Sequence, residues 1–288
     1  MSVALPHQSA GPLTNARHSR RPPALIIGAV AVILLALLAA AFGPMLVPDA
    51  GRQNLLDSML PPGSAGHLLG TDQLGRDILQ LTIAGARTAV VGPFVIALGS
   101  CVFGVLLGTF AGYRRGWVDA IVSRWADLLL ALPVVLVAIV IVGILGSGYW
   151  LSIALMVVLF SPSDTRIVRS AVLEEASRPY IESARVAGIG SSRIMFLHIL
   201  PNVLKMAVTN LLLNTAFALV ALSSLSFLGL GIEPGAADWG RQLADGWGIM
   251  GQNPAAVITP ALLIIAVACA VSLLGDWLSE RYEERGNA

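Results

Sequence analysis

Charge is scarce in this chain. Asp, Glu, Lys and Arg make up 12% of its 288 residues, hydrophobic residues make up 56%, and mean hydropathy is +0.79. A soluble globular domain carries about 25% charged residues, so most of this chain is excluded from water. Net charge is +1, which excludes nucleic acid as a partner held by bulk charge. Lysine is nearly absent, with Lys205 standing alone. No Gly-x-x-x-x-Gly-Lys-Ser/Thr segment occurs, so no P-loop holds nucleotide phosphates and no cofactor is expected on the chain. Cys101 and Cys269 lie in separate apolar runs and build no disulfide framework. His7, His18, His67 and His198 lack ligand spacing, and no metal site is expected. All 17 carboxylates read as lying in loops or near the ends of apolar runs, with Asp127 and Asp164 nearest to one. That pattern argues against a proton- or sodium-driven carrier. Ser147, between Gly146 and Gly148, has no base beside it, which argues against an intramembrane protease.

What is present is uncharged length. A membrane-spanning helix needs roughly 20 apolar residues. Segments 24–47, 88–112, 206–232 and 255–275 carry no charge. Segment 128–163 is uncharged over 36 residues, too long for one span, and Gly146-Ser-Gly-Tyr-Trp150 supplies a turn within it. The expected fold is an all-α polytopic membrane protein of six transmembrane helices with both termini on one side. Of the 18 basic residues, only Arg52, Arg76, Arg87 and Arg241 fall on the face opposite the termini. The positive-inside rule then places both termini in the cytoplasm.

The chain divides into a disordered cytoplasmic tail (1–23), a first span with an external segment (24–87), a transmembrane core (88–280) and a second tail (281–288). Ser19-Arg20-Arg21 ahead of an apolar run superficially resembles an export signal. That run is longer than the 7–15 residues of a signal's apolar region, so an uncleaved first span is expected. In the external segment, Thr71 or Asp72 is expected to cap a short surface helix, with Leu74, Ile78 and Leu81 on one face. Gly104, Gly108 and Gly112 recur every fourth residue, a pattern that admits a close helix neighbour. A second external loop, 231–254, carries Trp239 and Trp247, expected at the membrane boundary.

Residues 177–201 form a polar helix–glycine–helix insert between two long apolar runs. Pro179 suits the first turn of a helix, Tyr180–Ala187 continues it, and Gly188 can take the left-handed conformation that ends it. Ser191 or Ser192 can cap a second helix, Arg193–Leu200, which Pro201 hands to the next span. Ala184 and Ala187 leave a shallow surface for a partner's groove, and Glu182, Arg185 and Arg193 supply polar contacts.

Glu182-Ser183-Ala184-x-x-x-Gly188, nine residues, then His198-Ile-Leu-Pro201 resembles the Glu-Ala-Ala loop of ABC importer permeases. Ser183 replaces an alanine, and His198 resembles the dipeptide/oligopeptide/nickel subfamily. Leu69-Gly-Thr-Asp-Gln-Leu-Gly-Arg-Asp77 and Leu225-Ser-Phe-Leu-Gly-Leu-Gly-Ile232 resemble the same subfamily. The six-span order is similar to its second permease subunit. The resemblance implies a type I importer permease in a bacterial cell membrane, without enzymatic activity of its own. Its implied partners are a homologous permease, one or two ATPases that hydrolyse the ATP, and an extracytoplasmic solute-binding protein. Glu182, Ser183, Ala184, Arg185, Gly188, Arg193, His198 and Pro201 would then form the ATPase-coupling loop. The implied cargo is a di- or oligopeptide, with nickel or another small solute as the alternative. The competing reading from a different class is a stand-alone channel or secondary carrier.

Overall fold

The computed structural model describes residues 23–233 and 235–286; the expectation for the N-terminal tail lies otherwise outside them. Ten α-helices follow in order among the described residues: α1 (Pro23–Leu46), α2 (Ile78–Arg114), α3 (Gly116–Leu130), α4 (Val134–Leu145), α5 (Tyr149–Glu175), α6 (Pro179–Val186), α7 (Ser191–Arg193), α8 (Leu200–Phe227), α9 (Trp239–Trp247) and α10 (Ala255–Gly286). Five helical stretches are each long and apolar enough to cross a bilayer, and α3 with α4 makes a sixth if that bent pair counts as one span.

The bend is 85° and falls at Ala131-Leu132-Pro133. A proline disfavours helical geometry in the residue before it and lacks an N–H of its own. Pro133 therefore divides the pair. The turn expected near Gly146 is present: α4 stops at Leu145, Gly146 has φ of 100°, and α5 starts at Tyr149.

The glycine stripe brings α2 against α5. A Cβ on Gly108 would lie 2.7 Å from the Thr165 carbonyl, and one on Gly112 would lie 2.9 Å from the Arg169 carbonyl. In lipid, where helices gain little from hydrophobic exclusion, such close backbone approach supplies packing attraction. Ile96 of α2, Val142 of α4, Met156 of α5 and Leu225 of α8 fill the centre beyond the stripe.

Three expectations are corrected. The helix after the first external segment begins at Ile78, capped by Asp77, which accepts from the Gln80 N–H at 2.9 Å. Thr71, Asp72 and Leu74 lie in a loop before it, because Gly70 and Gly75 take φ of 75° and 71° and turn the chain out of helix. Trp239 is 2% exposed, and its indole N–H donates to the Thr82 carbonyl at 2.8 Å, so it is a core residue and not part of a membrane belt. At the C-terminus, α10 runs on to Gly286, so most of the segment read as a second tail continues the helix.

A fourth correction concerns charge. Asp164 sits well inside α5 and is 4% exposed. Its Oδ1 accepts from Asn210 Nδ2 at 2.5 Å and from Asn214 Nδ2 at 2.7 Å, both on α8. The uncharged run ends at Ser163, but α5 continues for three turns beyond it. A carboxylate that looked like a boundary is therefore interior, and the argument from missing intramembrane carboxylates no longer counts against a carrier.

Candidate functional site

The polar hairpin joins α5 to α8 at the end of α2 marked by Tyr113. Its first helix, α6, starts with Pro179 at a position where a missing N–H costs nothing. The chain turns at Gly188, whose φ of 79° an L side chain rarely adopts. The Ile189 N–H donates back to the Ala184 carbonyl at 3.1 Å and the Gly188 N–H to the Arg185 carbonyl at 3.0 Å, which closes the helix end.

The second arm departs from expectation. Ser191 lies inside the helix, and its N-cap is Gly190 with no side-chain cap bond. From Ser191 the helix runs unbroken to Phe227, through a π-helical stretch at Ile194–Ile199. Pro201 cannot donate an N–H, and in a straight α-helix its ring would strike the carbonyl four residues earlier. The wider π turn just before it accommodates the ring, so Pro201 is carried within one continuous helix.

One face of the hairpin is committed to its own subunit. Ile181, Ala184, Ile194 and Ile199 pack with Val172 of α5 and Val203 of α8. Where a surface open to a partner was expected, Ala184 is only 9% exposed and is part of this interior. At an edge, the Arg185 guanidinium lies 5.9 Å from the centre of the Tyr113 ring, and Phe110 meets Phe196 edge-on at 6.3 Å.

The opposite face is open. Glu182, Ser183, Arg185, Ala187, Gly188 and Arg193 are exposed, and Val186 is 86% exposed. Glu182 makes no side-chain hydrogen bond or ion pair among the described residues. Ser183 Oγ donates to the Pro179 carbonyl at 3.1 Å within its own helix. His198 is half-buried, and its Nδ1 lies 3.4 Å from the Arg193 carbonyl. The structure thus brings the eight candidate residues onto one hairpin but divides them. Ala184 faces inward, and most of the charged ones face out.

Sequence reasoning missed the hairpin's polar anchor. Glu175, the last residue of α5, is 6% exposed. Its Oε1 accepts from the Tyr180 hydroxyl and, at 2.9 Å, from Asn202 Nδ2; its Oε2 pairs with Arg178 Nε at 2.8 Å. Burial, and then the adjoining Glu175 carboxylate, push the Tyr180 phenol above its ordinary value, which keeps it a proton donor at neutral pH. These partners span 28 positions of sequence on three elements, and no periodicity links them.

A bundle of apolar helices with glycine-mediated contacts, a bent helix pair and a hairpin with one exposed face defines a multi-span membrane component. Residues 104–284 match the family described as binding-protein-dependent transport system inner membrane component, and the chain belongs to that family. It is a transport subunit of a bacterial membrane. It is 36% identical over 266 residues, 90% of each chain, to the dipeptide transport system permease protein DppC of Haemophilus influenzae. It is 33% identical to the di/tripeptide transport system permease protein DppC of Pseudomonas aeruginosa, over 90% of this chain and 88% of that protein. It is 35% identical to the glutathione transport system permease protein GsiD of Pectobacterium atrosepticum, over 89% and 86%.

Proposed function

We propose that this chain is one of two permease halves of an ATP-driven importer of di- or oligopeptides. The observation that carries the substrate class is the near full-length likeness to permeases named for dipeptides and di/tripeptides. The homologous half completes the path. One or two ATPases bind on the cytoplasmic side, and an external binding protein delivers the peptide. The basic residues support an arrangement with both termini and the hairpin in the cytoplasm.

The core spans 88–280, and 177–201 is its coupling loop. The open face of Glu182, Arg185, Val186 and Arg193 meets an ATPase, while the face around Ala184 keeps the hairpin on its own bundle. Closure of the ATPases then moves the hairpin, and the bundle alternates between inward- and outward-open states. The relative named for glutathione supports peptides of about this size as cargo.

The test is uptake of a radiolabelled dipeptide into proteoliposomes holding the purified complex, with unlabelled tripeptide, glutathione and nickel as competitors. Competition by the peptides and not by nickel is expected. ATP-dependent nickel uptake without peptide competition would overturn the cargo assignment.

A further inference from the structure

We propose that Glu175 is a positioning residue that locks the hairpin to both α5 and α8, so that force applied to α6 moves the two helices together. The inference rests on the coupling function proposed for 177–201.

The geometry makes Glu175 a hub. It belongs to α5 by backbone. It holds α6 through the Tyr180 hydroxyl and the start of α8 through Asn202. Asn202 Nδ2 also reaches the His198 carbonyl at 3.0 Å and the Tyr180 oxygen at 3.1 Å, which ties the π-helical stretch into the same set. The linker between α5 and α6 is held by Arg178, at 2.8 Å from Oε2. One buried carboxylate thus joins α5, the linker, α6 and the start of α8 at the hairpin's base.

The apolar contacts beneath it cannot perform this task alone. Ile181, Ala184 and Ile199 bury surface, but such contacts are non-directional and allow sliding. Charge-assisted hydrogen bonds fix direction as well as distance. The neighbouring π turn is a wide, less regular element of the kind often found at functional sites. Without the Asn202 contact, displacement of α6 would be absorbed there before it reached α8. Glu182 cannot substitute, since its side chain engages no described residue.

The experiment uses the full complex in proteoliposomes and reads the ratio of peptide uptake to ATP hydrolysis. In parallel, a benzophenone-maleimide on Val186→Cys, in a Cys269→Ser background, reports contact with the ATPase. Glu175→Ala removes the bonds to Tyr180, Asn202 and Arg178 at once and is expected to lower the ratio about tenfold or more. Crosslinking should remain at the wild-type yield. Glu175→Gln keeps the Oε1 acceptor for Tyr180 and Asn202 and is expected to restore most of the ratio. Glu175→Ala with Asn202→Ala should be no worse than Glu175→Ala alone.

An unchanged ratio in Glu175→Ala overturns the proposal. Parallel loss of uptake, hydrolysis and crosslinking also overturns it, because that is the signature of a merely structural role. Failure of Val186→Cys to crosslink any ATPase in the otherwise intact complex refutes the coupling function itself.

Discussion

The two ends of α2 solve opposite problems. At its N-terminal end, the 48–77 loop and the 229–254 segment fold onto each other as a cap. Arg76, 4% exposed, pairs with Asp72 at 2.6 Å and Asp245 at 3.2 Å and donates to the Gly235 carbonyl at 3.3 Å. Asn253, wholly buried, donates to the Leu60 and Leu69 carbonyls at 3.0 and 2.9 Å. The cap's buried charges find partners inside the cap. At the other end, the hairpin satisfies only its inner face and leaves Glu182, Arg193 and Val186 in the open. Segments rich in turn residues and charge can therefore be either self-completing or incomplete, and side-chain pairing tells the two apart.

The comparison breaks most forcefully at Arg76. Arg76→Ala leaves Asp72 buried without its cation, and losing one partner of a buried ion pair costs about 3–5 kcal/mol. The variant is expected to melt earlier in detergent and to exchange backbone hydrogens faster across 54–77 and 235–253. Exchange across 177–201 should stay as in the wild type. Equal acceleration at both ends would show that the cap and the hairpin are one cooperative unit.

Ala184→Trp sharpens the contrast from the other side. Overpacking a filled interior costs about 1–3 kcal/mol, and Ala184 lies in the interior shared with Val172 and Ile181. The expected outcome is faster exchange across 177–201 in the permease before any ATPase is added. If exchange is unchanged and only ATPase binding is lost, Ala184 faces the partner after all.

Gly188→Val tests the turn itself. The left-handed conformation costs a non-glycine residue about 1–2 kcal/mol, while no atom lies near enough to meet the added Cβ. Membrane insertion and the cap should be untouched, and peptide uptake should fall. Wild-type uptake would show that the turn tolerates a side chain.

These tests also mark how much the sequence revealed. Local features were legible. Gly188 lies where two helical patterns meet, and the stripe at 104, 108 and 112 repeats at helical spacing, as it packs. What sequence could not show was pairing across long intervals. The Glu175 hub reaches Asn202, 27 positions on, and Arg76 finds Asp245 at a distance of 169 positions. Asp164 was misplaced for a related reason. An uncharged window ends at the first charge, but a helix does not, and Asn210 and Asn214 lie on a different element. Trp239 resembled a boundary residue because its partner, the Thr82 carbonyl, is on a helix 157 positions earlier.

The smallest expected effect separates the two ends by pH. Asp238 caps α9, accepting from the Arg241 N–H at 3.0 Å and from the Thr88 hydroxyl at 3.0 Å. Burial raises its carboxyl above the ordinary 3.8, with the donors from Arg241 and Thr88 pulling the other way. The folded cap therefore holds this proton more tightly than the unfolded chain does. Its contribution to stability is fully present below the ordinary value and is lost as pH rises through the raised folded one. Asp238→Asn removes the titration while keeping an acceptor oxygen for the cap. Melting curves of wild type and variant, taken from about pH 4 to pH 7, should show the wild type's advantage shrinking as pH rises. Parallel curves would mean that Asp238 titrates alike in both states. Hydrogen exchange in the hairpin should show no such difference between the two proteins. There the raised Tyr180 phenol stays neutral throughout this range, and Asp238 packs on the far end of α2, against Gly85 and Thr88.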